Sequence, residues 1–175
     1  MAEQKLNLGC GSSLMDGWIN VDRHEPGAEH YDVMALPYTD VDEILAKHIL
    51  EHFAWEDAFH ALTHWRSILK PGGKITIVVP DIVEACKLVV EHEADFALSG
   101  GWWGRVMHMI YGTYHKPGMS HKYGWTIRTL PGAMMFTGFD DIVAEKLKDD
   151  WCPVIVATAI APLRGKQKEE DSGND

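Results

Sequence analysis

The chain has few cysteines, no long apolar run and a shortage of positive charge, and each absence removes a class of protein. Its three cysteines, Cys10, Cys86 and Cys152, are widely spaced and fall into no paired motif. Thiols used this sparingly suit a reducing, cytoplasmic setting and exclude a disulfide-stapled secreted fold. No apolar stretch approaches the roughly 18 to 20 residues that cross a bilayer, so no membrane partner is expected. The opening Met1-Ala-Glu-Gln-Lys5 lacks the basic and apolar regions of a secretory signal. Lys and Arg number 16 against 26 Asp and Glu, a formal net charge of −10. Nucleic-acid affinity is mostly phosphate neutralisation, so a nucleic-acid partner is disfavoured and no dense basic patch argues otherwise.

What remains is an ordinary globular composition, 46% hydrophobic over 175 residues, enough for one domain with a real core. Residues 1–163 read as that domain, and the polar, charged residues 164–175 as a disordered tail. Strand and helix signals alternate. Residues 5–8 and 18–21 form the first two expected strands, 31–36 a weaker third, and 42–47 a fourth. Apolar residues at helical spacing (Ala58, Leu62, Trp65, Leu69) predict a helix over 54–69, stopped by Lys70-Pro-Gly-Gly73. Residues 74–79 are continuous and β-branched, the clearest strand. A helix to about residue 93 and another over 126–137 follow, and 143–147 with 154–161 close the chain as an antiparallel pair. The fold class is therefore α/β, a mostly parallel Rossmann-like sheet with helices on both faces. About nine residues separate the first two strands, too few for the roughly 10 to 12 of a helical crossover. The N-terminal half is reduced, with a single turn or irregular loop in place of a first helix.

The N-terminal motif carries the most chemistry. Lys5-Leu-Asn-Leu-Gly-Cys-Gly11 runs from a buried strand into a two-glycine turn, and Gly17-Trp-Ile-Asn-Val-Asp22 ends a second strand on a carboxylate. Gly9 and Gly11 let the backbone approach a ligand closely, and the amides that follow can face a carboxylate or phosphate. Asp22 can accept hydrogen bonds from both hydroxyls of a ribose, or it can simply cap its own turn.

Four segments in order make the chain resemble the class I S-adenosylmethionine-dependent methyltransferases, and among them the small type 11-like group. They are Leu6-Asn-Leu-Gly-Cys-Gly-Ser12, Gly17-Trp-Ile-Asn-Val-Asp22, Asp42-Glu-Ile-Leu-Ala-Lys-His-Ile-Leu-Glu-His52 and Leu69-Lys-Pro-Gly-Gly-Lys-Ile-Thr-Ile-Val-Val-Pro80. His121-Lys-Tyr-Gly-Trp-Thr126 and Thr137-Gly-Phe139 also look like this group. The resemblance implies S-adenosyl-L-methionine as cofactor, with Gly9 and Gly11 against its methionine moiety, Asp22 on its ribose, and Leu8 and Cys10 among the cofactor-binding residues. The family's acid before the segment equivalent to Leu36-Pro37 is displaced here, to Asp32, so Met34 or Ala35 is expected to meet adenine, with Leu36 also counted as cofactor-binding. Lys47 and His48 would stand beside the methyl-transfer centre.

Transfer to a hydroxyl or amine is helped by a positioned base, for which His121 is the first candidate and His48 the second; the alternative for His121 is a helix-capping or solvated loop role, and for His48 packing in the upper layer of the sheet. Tyr111, His115 and Tyr123 are candidate acceptor-binding residues. The Gly-, Trp- and Met-rich residues 94–120 read either as a lid over the site or as a core helix or homodimer surface. Cys10 reads as packing rather than nucleophile. The acidic surface and aromatic segment favour a small-molecule acceptor, a sugar or other metabolite, methylated on O or N.

Two other functions compete. The short crossover and displaced acid fit a cofactor- or nucleotide-binding module without catalysis. His48-Ile-Leu-Glu-His52 spells H-x-x-E-H, a zinc-hydrolase pattern. His48 falls at a strand end, however, so His48 and His52 need not share a helical face, and no metal is assigned.

Overall fold

The structure, a computed structural model, describes residues 3–92, 100–113, 118–149 and 152–163. His115, residues 94–99 and 114–117 of the candidate lid, and the tail at 164–175 lie outside the described residues. Among the described residues six strands form one sheet: β1 (Lys5–Leu8), β2 (Ile19–Val21), β3 (Val41–Lys47), β4 (Leu69–Pro80), β5 (Asp140–Asp149) and β6 (Cys152–Ile160). Their order is β2-β1-β3-β4-β6-β5. Strands β1 to β4 pair in parallel, and β6 runs antiparallel to both β4 and β5. This is the expected α/β class with its antiparallel closing pair, and β6 is inserted between β4 and β5. Central position explains composition: Leu6, Asn7 and Leu8 of β1 are all buried, as in a strand covered on both sides.

Among the described residues four α-helices accompany the sheet, α1 (Trp55–Ile68), α2 (Ile82–Glu91), α3 (Gly100–Tyr111) and α4 (Thr129–Phe136). Asp81 caps α2 by accepting from the amides of Val83 and Glu84. The core holds Leu6, Leu8, Ile44, Leu62, Trp65, Ile75, Ile77 and Trp125. No helix among the described residues is long and apolar enough to cross a membrane.

Two expectations are corrected. Residues 31–36 form no strand; the chain there is a turn. Asp32 accepts from the Met34 amide, and Trp65 Nε1 donates to the Val33 carbonyl at 2.8 Å. The Leu36 amide donates to His64 Nε2, also at 2.8 Å. Helix α1 thus takes the backbone groups that a third strand would have offered to a ladder. Within 94–120, read as a lid or as a core helix or homodimer surface, the described residues hold a regular helix, α3; Val106 and Met109 are buried and it packs against α2. Helix α4 starts at Thr129 rather than 126, because Thr126 Oγ1 accepts from the Thr129 amide and fixes a turn ahead of it.

Candidate functional site

After β1 the chain passes outward to β2 and returns to β3 on the other side of β1. Ligands of open α/β sheets bind at such a reversal, outside the carboxyl ends of the strands. Gly9, Asp22 and His48 follow the last residues of β1, β2 and β3, so all three stand at that end. The link from β1 to β2 is an irregular loop, as its length required. The amides of Gly9 and Cys10 donate to the Val21 carbonyl at 2.8 and 3.2 Å. The Gly11 amide donates to Asp22 Oδ2 at 3.0 Å, and the amides of His24 and Glu25 donate to Oδ1. Burial opposes the Asp22 charge, but these three donors outweigh it and hold its carboxyl below the usual range.

The glycines have separate reasons. Gly9 lies at φ +62°, and a Cβ there would stand 2.2 Å from Ile49 Cδ1. Gly11, at φ +48°, has open space where a side chain would project. The sequence reading missed what holds the loop's far side. Asn7 Nδ2 donates to Asn20 Oδ1 and to the Ser13 carbonyl, both at 2.9 Å, and Asn20 in turn binds the Met15 and Trp18 backbone. The available signal was two asparagines at equivalent places in short apolar strands.

The remaining cofactor-side residues fall as follows. Leu8 is fully buried, so only its backbone can meet a ligand; Cys10 is buried, and burial pushes its thiol up. Met34 is half-buried, Ala35 exposed and the Leu36 side chain in the core. Their turn lies beside Asp22, since Arg23 pairs with Asp32 at 2.5 Å. Lys47 pairs with Asp149 Oδ2 at 2.9 Å.

At the ends of β3 and β4 an open cavity of about 330 Å³ is lined by His48, Glu51, His52, His108, His121, Asp149 and Cys152, among others. His48 is reached through a left-handed turn, φ +53°, with its amide on the Val78 carbonyl. Residues Leu50–His52 then form one 3₁₀ turn, so His48 and His52 do not share an α-helical face. His48 Nε2 meets Asp149 Oδ2 at 3.1 Å and Nδ1 lies 3.4 Å from Glu51 Oε1. Burial disfavours the His48 cation, but Glu51 and then Asp149 outweigh it and raise its pKa. Asp149 is lowered by Lys47 and then His48.

His121 arrives on a doubled-back segment. Its amide donates to the Tyr111 carbonyl, and the Thr113 amide to that of Met119. Gly112 makes the reversal at φ +69°, where a Cβ would stand 2.2 Å from the Met119 oxygen. His121 Nδ1 donates to the Met109 carbonyl at 3.0 Å, leaving Nε2 unprotonated, 4.0 Å from Glu51 Oε1. Burial lowers its pKa. Tyr111 is exposed and Tyr123 stacks on Trp55 and Trp125, at 4.8 and 4.9 Å between ring centroids; neither lines the cavity. Burial pushes the Cys152 thiol up to about 11, so it is not a thiolate nucleophile.

Comparisons give one consistent result. No protein-family model matches the chain and no curated protein matches it in sequence, so nothing singles out the type 11-like group. Solved structures do match. An S-adenosylmethionine-dependent methyltransferase of Archaeoglobus fulgidus aligns with TM-score 0.62 at 16% identity, over 91% of this chain and 86% of that one. Another, from Methanosarcina mazei, gives 0.59 at 13%, over 93% and 94%. The 1,6-didemethyltoxoflavin-N1-methyltransferase of Burkholderia thailandensis, solved with 1,6-didemethyltoxoflavin and S-adenosylhomocysteine, gives 0.60 at 14%, over 90% and 70%. The chain therefore has the Rossmann-like fold of the S-adenosylmethionine-dependent methyltransferases.

Proposed function

We propose that this chain binds S-adenosyl-L-methionine against Gly9, Gly11 and Asp22 and transfers its methyl to an O or N atom of a small acceptor held in the cavity beside His48 and His121. The observation that carries the reading is the pairing of Gly11 with Asp22 at the sheet reversal. The residues fit the cofactor. Space is open beside Gly11, and a carboxylate with about four lone-pair sites keeps acceptor capacity after three amides have bound it. Asp22 would receive one ribose hydroxyl at the site left on Oδ2, and half-buried Met34 with exposed Ala35 would offer an apolar surface to the adenine. The fold's solved relatives support the cofactor by likeness, and one of them was solved with the demethylated product.

The activated methyl comes from the cofactor; the chain's own work is placement and proton handling. His121 is the base. Its Nε2 is unprotonated because Nδ1 gives its hydrogen to Met109, and its lowered pKa keeps it neutral at pH 7. When Nε2 takes the acceptor proton, Glu51, 4.0 Å away, stabilises the imidazolium. His48, tied to Asp149 through Nε2, orients the acceptor by donating from Nδ1, which makes no hydrogen bond to Glu51. Release of S-adenosylhomocysteine from a panel of small hydroxyl and amine acceptors tests the reading. Product with at least one acceptor, lost in His121→Ala while cofactor still binds, is the expected result. Product formation undiminished in His121→Ala removes that residue as base.

A further inference from the structure

We propose that Glu51, His52 and His121 form a binding site for a borderline divalent transition-metal ion of the zinc class. One ligand-capable atom of each residue lies within 4.8 Å of the others. Zinc ligands at about 2.0–2.1 Å in a tetrahedral shell stand roughly 3.3 Å apart, so the three need draw in by about 1.5 Å at most.

Four observations point to a cation. Glu51 has a side chain only 2% exposed, and neither of its oxygens accepts a hydrogen bond among the described residues. A buried carboxylate in that condition is costly until a positive charge meets it. His48 Nδ1 faces Oε1 at 3.4 Å as an ion pair without hydrogen-bond geometry, and among the described residues Oε2 has neither hydrogen bond nor ion pair. Second, both imidazoles are set as ligands. A carbonyl can only accept, so His52 Nδ1 donates to Ser120 at 3.2 Å and His121 Nδ1 to Met109 at 3.0 Å. That leaves the lone pair on Nε2 of each ring, the backing that orients ligand histidines in metal sites. Third, the two rings pack edge to face at 4.9 Å. Fourth, the main chain fixes the arrangement: the amides of Lys122 and Tyr123 donate to the Glu51 carbonyl at 2.8 and 3.3 Å. Two imidazoles and one carboxylate select zinc, cobalt or iron over magnesium or calcium. The site differs from the H-x-x-E-H reading: His121, seventy residues on from Glu51, supplies the second imidazole in place of His48.

A bound ion would take the lone pair that His121 needs as a base, so zinc and proton transfer exclude one another there. That consequence rests on the methyl-transfer reading; the metal site does not.

Chelator-stripped full-length protein dialysed against Zn²⁺ or Co²⁺ provides the test. The proposal expects one ion per chain, visible d–d bands with Co²⁺ and a melting temperature that rises with free metal. Glu51→Gln and His121→Ala should each weaken Zn²⁺ binding more than about tenfold. Glu51→Gln keeps the shape and removes a buried charge that accepts no hydrogen bond among the described residues, so it should remain folded by circular dichroism; Cys86→Ser, at an exposed thiol, should bind like the parent. No stoichiometric binding, or binding unchanged in both ligand variants, overturns the site. Metal binding without methyl transfer leaves it standing, and cofactor binding without metal binding removes it.

Discussion

The Gly11 amide and the Asp22 carboxylate are joined at 3.0 Å across the ends of β1 and β2. One side chain therefore shapes the glycine turn and faces the proposed ribose. Asp22→Ala leaves the amides of Gly11, His24 and Glu25 without their acceptor. Loss of hydrogen bonds to a charged group costs about 1.5–3 kcal/mol each at most, and solvent recovers part of that here. The expected outcome is a folded protein of lower denaturation midpoint whose melting temperature no longer responds to S-adenosylhomocysteine. An unchanged response would remove Asp22 from the cofactor site.

Gly9 and Ile49 make a steric prediction. Gly9→Ala places a methyl 2.2 Å from Ile49 Cδ1 at a φ of +62°. Backbone strain and overpacking of this kind cost on the order of 1–3 kcal/mol. Urea unfolding should show that loss, and adding Ile49→Ala, which leaves only the Ile49 Cβ contact at 3.0 Å, should recover most of the steric part but not the strain. Gly11→Ala meets open space and should cost less.

Two histidines in one cavity should titrate on opposite sides of the ordinary value of about 6.5. His121 is lowered by burial, so the folded state binds its proton less well than the unfolded chain does. Its contribution is stabilising above about pH 6.5 and fades as pH falls toward the lowered folded value. His48 is raised because Glu51 and Asp149 outweigh burial. Its contribution is full below about pH 6.5 and is lost as pH rises through the raised folded value. Imidazole proton NMR should resolve one midpoint below and one above, and Asp149→Asn should bring the upper one down. Coincident midpoints near 6.5 would contradict this electrostatic account.

The turn at residues 32–36 hangs from α1 by the contacts of Trp65 with Val33 and His64 with Leu36. If adenine lies on Met34 and Ala35, loosening that turn should weaken cofactor affinity from outside the site. His64→Ala strands the Leu36 amide, at a cost of about 1–3 kcal/mol where it stays buried. Calorimetry should show weaker S-adenosylhomocysteine binding with stoichiometry intact; unchanged affinity would separate this turn from the adenine.

Those contacts also explain where sequence reading failed. Strands such as residues 74–79 are legible because β-branched residues run unbroken between turn residues. Residues 31–36 offered a weaker version of the same signal, but ring nitrogens of Trp65 and His64 captured their backbone. Helix α3 was hidden by glycines at 100, 101 and 104, each costing about 1 kcal/mol in a helix, until burial of Val106 and Met109 supported it. Gly9, Gly11 and Asp22 were readable because they sit within one short motif. The cavity was not: Glu51, His121 and Asp149 come from three distant stretches, and no local spacing joins them. Gly112, which turns the chain so that His121 enters, looked like any glycine in a glycine-rich segment.

Isothermal titration of the full chain with S-adenosylhomocysteine bears most directly on the proposed cofactor site. Saturable binding at one molecule per chain, abolished by Asp22→Ala and retained in His121→Ala, is the predicted result. Absence of heat with both S-adenosylhomocysteine and S-adenosylmethionine over a range of temperatures would contradict it.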